Sequence, residues 1–241
     1  MANSKDFFRP TQISDFDKVL RIDARYTEGS YPLSRNIMYS LQYLQYIQNQ
    51  LDSGKFTSVI YIKLYKTYIV EALGIIEALF TCLLKANGKW AKDNYLPIID
   101  ERTNEFIKDG KHYRLQTVLL ERTDCNVKRL DFETILNKVS QNKLIEINGK
   151  AFGVIKNLKA LRNKVHLHLA ETSDDTDWNS FSKTDYLWAR YTLFIIMTNS
   201  LFIRDSSQAI IYDFLELTAD EIKAIKVSPV KDRKSKKKDD K

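Results

Sequence analysis

The chain has 241 residues, of which 44% are hydrophobic and 29% charged, and its formal net charge is +7. This apolar content is enough for a hydrophobic core, and the presence of only 7 Gly and 4 Pro favours long helices over a many-stranded β fold. Residues 231–241 hold seven basic and three acidic side chains, so they supply +4 and the other 230 residues only +3. Affinity of the body for nucleic acid would therefore have to come from a local patch.

Cysteine usage and the apolar stretches argue against a secreted, metal-binding or membrane protein. Cys82 and Cys125 form neither a metal-ligand spacing nor a disulfide framework, which fits a reducing cytosol. The N-terminus, MANSKDFFRP, lacks the apolar core of a signal peptide. The longest apolar stretch, residues 68–84, contains Glu71 and Glu77 and is a poor membrane span. The sequence therefore predicts a cytoplasmic protein with no metal, no cofactor and no membrane partner.

The first 55 residues predict two helices. Ser14 followed by Asp17 is a capping signal for a short helix that ends near residue 26, and residues 29–32 break the chain. A second helix is predicted over residues 33–52. It carries a row of tyrosines, Tyr39, Tyr43 and Tyr46. Such a row can stack on nucleic-acid bases, but at helical spacing it is more often a packing surface, and packing is the interpretation we prefer here.

The longest predicted helix runs from residue 56 to about residue 86, and apolar positions surround most of its second half. This pattern predicts a central, buried helix. An unpaired buried carboxylate is costly, so Glu71 and Glu77 must each find a partner or reach an edge. Either they are ordinary surface residues of the helix, or one of them faces Arg162 or a histidine and tunes a site there.

Residues 89–130 do not predict one type of structure. Residues 97–107 and 113–122 could each be helical, yet the run HYRLQTVLL also alternates well enough for a strand. His112 has no partner motif and is predicted to lie on the surface. A helix is predicted again over residues 131–140.

A helix predicted over residues 150–168 carries the most informative motif, LRNKVHLH. Its apolar stripe is formed by Val154, Leu158, Leu161 and Val165. Arg162 lies about 60° to one side of this stripe and His168 about 60° to the other, while His166 shares the arginine edge. Arginine can grip two phosphate oxygens, and histidine can transfer a proton near neutral pH, so the set suits phosphodiester cleavage. Alternatively, these residues only stabilise the negative end of the helix.

The rest of the chain predicts three further segments and a tail. Residues 171–182 are polar and acidic, as in a mobile flap, and Ser182 with Asp185 caps a helix over residues 183–203. A short segment over residues 208–217 precedes a final helix that Thr218 and Glu221 cap. After residue 228 the composition predicts disorder. The lysines expected to bind RNA in this tail are Lys234, Lys236, Lys237 and Lys238.

With these residues placed, the chain resembles the HEPN superfamily (higher eukaryotes and prokaryotes nucleotide-binding domains). Its hallmark is an Arg, often followed by Asn, and then a His after four to six intervening residues. Arg162, Asn163 and His168 fit this pattern, with five residues between Arg and His. His166 follows Arg162 after only three, and if His166 is the true counterpart, the site binds RNA without cutting it. The resemblance covers about residues 56–205.

The resemblance implies an all-α fold, a HEPN-like antiparallel helical bundle over residues 56–205. Residues 1–55 would be an N-terminal helical extension, residues 206–228 would pack on the bundle, and residues 229–241 would form the disordered basic tail. The implied function is metal-independent endoribonuclease activity of a defence, abortive-infection or toxin–antitoxin type.

In such an enzyme, Arg162, Asn163, His166 and His168 of two chains would form a composite site in a homodimer, with Glu71 and Glu77 as supporting residues. An antitoxin or another defence-system protein would be a further partner. Two alternatives stay open. One is a catalytically inactive module that binds RNA, a nucleotide or a protein, and the other is a helical scaffold in which the motif only supports packing.

Overall fold

The computed structural model describes residues 8–22, 29–90, 92–127, 130–147, 149–163 and 176–227. The chain divides into two compact units: Met1–Gly88 together with Phe132–Lys241, and Lys89–Asp131. The first unit is helical and the second is built from β-strands. The prediction of a mostly helical protein is therefore confirmed.

The helical unit is organised around α3 (Ser58–Ala86), the long central helix expected from its apolar circumference. It packs against α2 (Ser30–Ser53), α4 (Phe132–Gln141), α5 (Gly149–Asn163), α6 (Asp177–Ser180) and α7 (Lys183–Met197). Among the described residues, α3 is the one helix that is long enough and apolar enough to cross a membrane. However, 61% of its most apolar 18-residue stretch is buried inside the protein. This burial is typical of the core helix of a folded domain.

The N-terminal helices share the core of the same unit. Helix α1 (Ile13–Val19) begins after Gln12, and the Gln12 side chain makes no capping bond. Ser14 lies inside this helix, so the prediction of Ser14 as its cap is wrong. Phe16 is fully buried and stacks on Tyr212, with ring centroids 6.2 Å apart. The described part of residues 1–55 thus contributes to the core that the C-terminal segment completes.

The C-terminal half largely follows the sequence. Both predicted capping boxes are present, at Ser182 with Asp185 before α7 and at Thr218 with Glu221 before α8 (Ala219–Val227). Helix α7 stops at Met197, six residues before the predicted end. The Thr198 hydroxyl donates to the carbonyl of Phe194 at 2.8 Å, a side-chain bond that competes with continuation of a helix.

A buried arginine on α7 contacts the two helical segments that follow α7. Arg190 is only 6% exposed and donates to the Glu221 carboxylate at 3.0 Å and to the carbonyl of Phe214 at 3.2 Å. It also donates to the carbonyl of Glu216. One guanidinium therefore ties the 3₁₀ helix Ser206–Leu215 and α8 to the core, using the fixed fork of donors that only arginine offers.

The second unit corrects the strictly all-α prediction. It contains β1 (Lys92–Arg102), β2 (Phe106–Lys108), β3 (Lys111–Tyr113) and β4 (Gln116–Val127). Strands β1 and β4 pair antiparallel, as do β2 and β3. Asp109 and Gly110, with φ angles of 52° and 71°, form the turn between β2 and β3, and two positive φ angles are what a tight type I′ hairpin requires. The sequence left helix and strand open for residues 97–107 and 113–122, and the strand alternative, which the run HYRLQTVLL offered, is the one present.

Candidate functional site

Arg162 lies in the last turn of α5, beside the face that α5 buries in the core. Leu158 and Leu161 are almost completely buried, as the predicted apolar stripe requires. The Arg162 side chain is 35% exposed, so it reaches the edge between core and solvent, and Asn163 beyond it is exposed. The helix therefore presents a half-buried guanidinium at its C-terminal end, where the helix dipole also favours a positive charge.

Glu77 of α3 is the partner of this guanidinium. Nη1 of Arg162 donates to Oε2 of Glu77 in an ion pair that joins residues 85 positions apart in sequence. The Glu77 side chain is 27% exposed, so water screens the pair less than it would screen a surface ion pair. The sequence left two alternatives for Glu71 and Glu77: ordinary surface residues, or a glutamate that faces Arg162 or a histidine. For Glu77 the contact with Arg162 is present. Glu71 instead accepts from the hydroxyl of Ser40 at 3.1 Å and does not contact Arg162 among the described interactions.

A third helix supports the arginine. The Arg162 guanidinium carbon lies 5.8 Å from the ring centroid of Phe132, a buried residue at the start of α4. A cation over an aromatic face is attracted by the ring and is held in one orientation. Helices α3, α4 and α5 thus meet at Arg162. The described ion pair uses one of its five N–H donors, which leaves others that can bind an anion.

Further cations line the joint between α4 and α5. Lys159 donates to Glu133 at 2.7 Å, and Lys156 donates to Asn137 at 2.8 Å and lies 3.7 Å from Glu133. The hydrogen bond from Lys159 lowers the pKa of Glu133. Lys156, Lys159 and Arg162 together carry three positive charges along this edge of α5. The carboxylates that contact them, Glu133 and Glu77, carry two negative charges.

Asp177, the first residue of α6, also contacts α3. Asp177 accepts from Lys66 at 2.8 Å and from Lys63 in a second, shorter contact. Burial alone would raise the pKa of Asp177, but hydrogen bonds from the two lysines outweigh burial and lower it. Lys66 and Glu77 are eleven residues apart on α3, or about 16 Å along the helix axis.

The Asp177 contact was missed from the sequence and changes the picture of residues 171–182 as a mobile flap. Residues 177–180 form a helix, and Phe181 is 3% exposed and lies beneath Lys66, whose Nζ is 5.4 Å from the ring centroid. The described part, from residue 176 onward, is therefore packed rather than free. Residues 171–175 lie outside the described residues.

The predicted histidines and tail lysines lie outside the described residues: His166, His168, Lys234, Lys236, Lys237 and Lys238. His112, predicted to be a surface residue, is exposed, and its Nδ1 lies 2.7 Å from the carboxylate of Glu105.

The tyrosine row of α2 is exposed. Tyr39, Tyr43 and Tyr46 are 55%, 44% and 47% exposed, so the preferred interpretation as a packing surface is wrong within the described structure. The rings of Tyr43 and Tyr46 are nearly parallel, at 14°, with centroids 6.4 Å apart. At the N-terminal end of the same helix, the guanidinium of Arg35 lies 5.2 Å from the ring centroid of Tyr31. Exposed aromatic faces with a nearby arginine suit stacking on flat partners.

No group of three or more His, Cys, Asp or Glu side chains among the described residues could hold a metal ion. Comparison of the chain with family models, with curated proteins and with solved structures found no match. The chemistry of this protein must therefore be argued from the residues around Arg162.

Proposed function

We propose that the chain is a metal-independent RNA endonuclease of the HEPN type, with a helical bundle that brings the Arg162 sites of two copies together. The single observation that carries this proposal is the half-exposed Arg162, held at the end of α5 by Glu77 and Phe132. A positioned guanidinium is the group required to stabilise negative charge that develops on a phosphate. The carboxylate of Glu77 would fix its orientation before RNA binds.

The proposed reaction is attack of an RNA 2′-hydroxyl on the adjacent phosphorus, with departure of the 5′-oxygen. Arg162 stabilises the charge on the phosphoryl oxygens, and His168 transfers the proton. His166 and Asn163 orient the phosphate or the arginine. Because the two histidines follow Arg162 by only four and six residues, the covalent chain itself limits their distance from the guanidinium.

Two surfaces support RNA as the substrate. Lys156 and Lys159 extend the positive edge of α5 along one side, where a phosphate backbone could be bound. The exposed tyrosines of α2 offer stacking faces for unpaired bases. The basic tail around Lys236 would add nonspecific, salt-sensitive affinity. A defence or toxin role in the cytoplasm, with an antitoxin as partner, is the biological setting that we propose.

One observation favours the second candidate, a module that binds RNA, a nucleotide or a protein without cutting. Glu77 already neutralises Arg162, and a carboxylate beside the guanidinium repels an incoming phosphate. If this pair persists when RNA is bound, the arginine serves packing and the site is not catalytic.

Incubation of the purified full chain with structured and single-stranded RNA in EDTA distinguishes the candidates. We expect the parent to cut, and Arg162→Ala and His168→Ala to lose at least about 100-fold in rate, with a smaller loss for His166→Ala. Arg114→Ala, at an exposed arginine of the β unit, is the matched control and should cut like the parent. Cleavage by Arg162→Ala at the parent rate would mean that Arg162 is not part of the catalytic site. RNA binding without cleavage would favour the second candidate.

A further inference from the structure

A cavity of the helical unit lies between the N-terminal segment, α2 and the 3₁₀ helix Ser206–Leu215. Its volume is about 210 Å³. The residues that line it are Phe8, Arg9, Thr11, Gln45, Gln48, Asn49, Asp52 and Phe214. None of them contacts Arg162 among the described interactions, so the cavity is separate from the proposed nuclease site.

Hydrogen bonds between two of the elements that form this cavity hold its shape. Thr11 donates its backbone N–H to Oε1 of Gln45 at 2.8 Å, and Nε2 of Gln45 donates to the Thr11 hydroxyl at 2.8 Å. Nε2 of Gln42 donates to the carbonyl of Thr11 at 2.7 Å. These bonds hold the N-terminal segment against α2, so the cavity is preformed and a ligand would not have to order it.

Gln48 brings an unpartnered acceptor to this cavity. The residue is 9% exposed, and its side-chain oxygen Oε1 is buried without a hydrogen-bond partner among the described residues. A buried amide oxygen that no donor satisfies is costly, and most such groups in folded proteins have a partner. The Gln48 oxygen therefore indicates that a bound molecule supplies the donor.

Asp52 adds a carboxylate one helical turn from Gln48, on the same face of α2. It is exposed, so it lies at the open side of the cavity. Burial of part of the carboxyl raises the pKa of Asp52, and no hydrogen bond from the described residues acts on it. The charges that act on it are those of Arg190, Glu221 and Lys183. The cavity thus offers three side-chain oxygens to the N–H groups of a ligand.

The charge around the cavity disfavours a cationic ligand. Arg9 is exposed and lines the cavity, and two further cations, Lys183 and Arg190, act on Asp52. Against these three positive charges stand the carboxylates of Asp52 and Glu221, so the described charges sum to +1. An ammonium ligand such as a polyamine would gain no net attraction here. A neutral ring with several N–H donors, joined to an anionic group that Arg9 can bind, fits better.

The size and the apolar walls of the cavity indicate a flat ring system. Phe8 and Phe214, on two separate segments, supply aromatic surface. A volume of about 210 Å³ equals the liquid volume of about seven waters, and sites that enclose a whole drug-sized ligand measure about 300–1,000 Å³. The cavity therefore suits one ring system, with the rest of the ligand in solvent near Arg9.

We propose that this cavity binds a guanine base, with the attached phosphate toward Arg9. Guanine has three N–H hydrogens on its Watson–Crick edge. N1–H and one amino hydrogen would donate to the Asp52 carboxylate, and the other amino hydrogen would donate to Oε1 of Gln48. Adenine and cytosine present an amino group beside a ring acceptor, which a carboxylate repels. A free nucleotide and an RNA strand present the same edge, and the proposal does not depend on nuclease activity.

Isothermal titration calorimetry of the full chain with the monophosphates of guanosine (GMP), adenosine and cytidine tests the choice of base. We expect a Kd for GMP on the order of 10 μM, and binding of the other two that is at least about 10-fold weaker. Gln48→Leu should weaken GMP binding by about 10-fold or more, yet keep or raise the melting temperature, because it removes a buried oxygen that no donor satisfies. Gln50→Leu, on the same helix but outside the cavity, is the matched control and should bind GMP like the parent. Equal affinity for the three nucleotides, or a lower melting temperature of Gln48→Leu, would overturn the proposal.

Asp52→Asn is a second test at an exposed residue and leaves the core unchanged. The amide replaces one acceptor by a donor, which opposes the amino group of guanine but matches the carbonyl that xanthine carries at the same position. We expect this variant to bind GMP at least about 10-fold more weakly than the parent, and to bind xanthosine monophosphate at least as tightly as GMP. Unchanged GMP binding by Asp52→Asn would contradict the proposed contact.

Competition in an Arg162→Ala background, where cleavage cannot interfere, identifies the source of the base. An oligouridine with one internal guanosine displaces GMP if the base comes from an RNA strand, and it leaves GMP bound if the ligand is a free nucleotide. Plain oligouridine is the control for binding elsewhere on the protein. Loss of GMP binding in the Arg162→Ala background would place the nucleotide at the Arg162 site and overturn the proposal.

Discussion

The pairing of Arg162 with Glu77 predicts a measurable coupling in a double-mutant cycle with Arg162→Met and Glu77→Gln. The two side chains are 35% and 27% exposed, which lies between a surface pair, worth up to about 1 kcal/mol, and a buried one, whose disruption costs about 3–5 kcal/mol. We expect each single variant to lose about 2 kcal/mol, or about 4–8 °C in melting temperature for a chain of this size. The double variant should lose less than the sum, with a coupling of about 1–2 kcal/mol.

Urea unfolding at pH 7 measures the cycle, and a matched cycle on Lys18 and Asp15 of α1 provides the control. That pair is 2.9 Å long but 70% and 46% exposed, so its coupling should stay below about 0.5 kcal/mol. Strict additivity at Arg162 and Glu77 would refute the reasoning, because two groups that do not stabilise each other cannot hold a guanidinium in place.

The same Glu77→Gln variant separates positioning from simple neutralisation. Loss of the carboxylate removes repulsion of phosphate, so RNA should bind more tightly. Loss of the ion pair frees the guanidinium to rotate, so cleavage of bound RNA should be slower by about 10-fold or more. Tighter binding together with faster cleavage would mean that Glu77 inhibits the site instead of orienting it.

Three further predictions follow from other contacts. Arg190→Met should destabilise the protein by about 3–5 kcal/mol in urea unfolding, because it leaves two carbonyls and a carboxylate without their buried partner. Since the pKa of Asp177 is lowered in the folded state, the stability lost in Asp177→Asn should be constant above about pH 5 and should vanish as the pH falls through that lowered pKa in pH-dependent thermal melts. Tyr43→Ala and Tyr46→Ala should each weaken binding of single-stranded RNA by about 5-fold or more in fluorescence anisotropy, whereas Tyr113→Ala should leave it unchanged.

The sequence predicted those parts of the protein that local periodicity determines. The apolar circumference of α3 required a buried helix, and a buried helix required partners for its two glutamates. Arg162, the arginine of α5 beside its apolar stripe, was one of the partners that the sequence left open for these glutamates, and it is the partner of Glu77. The capping boxes before α7 and α8 were equally local and equally predictable.

Long-range contacts could not be predicted in the same way. Asp177 meets Lys63 and Lys66 more than 100 residues away, and nothing in an acidic loop sequence distinguishes a fixed carboxylate from a solvated one. The exposure of Tyr43 and Tyr46 likewise depends on which face of α2 the rest of the chain covers. Over residues 98–121 the strand pattern was ambiguous because consecutive apolar residues, as at Val118, Leu119 and Leu120, interrupt the alternation of a half-buried strand.

Helix α3 forms the core and also contacts residues on both sides of the proposed catalytic motif. Glu77 holds the residue that begins the predicted catalytic motif, and Lys66 holds the chain soon after that motif ends. Both anchors stand on one helix whose other side chains form the core, so their spacing of about 16 Å is as rigid as the core itself. A change that loosens α3 should therefore reduce activity before the protein unfolds, whereas loss of Arg162 should abolish activity in a protein that is still folded.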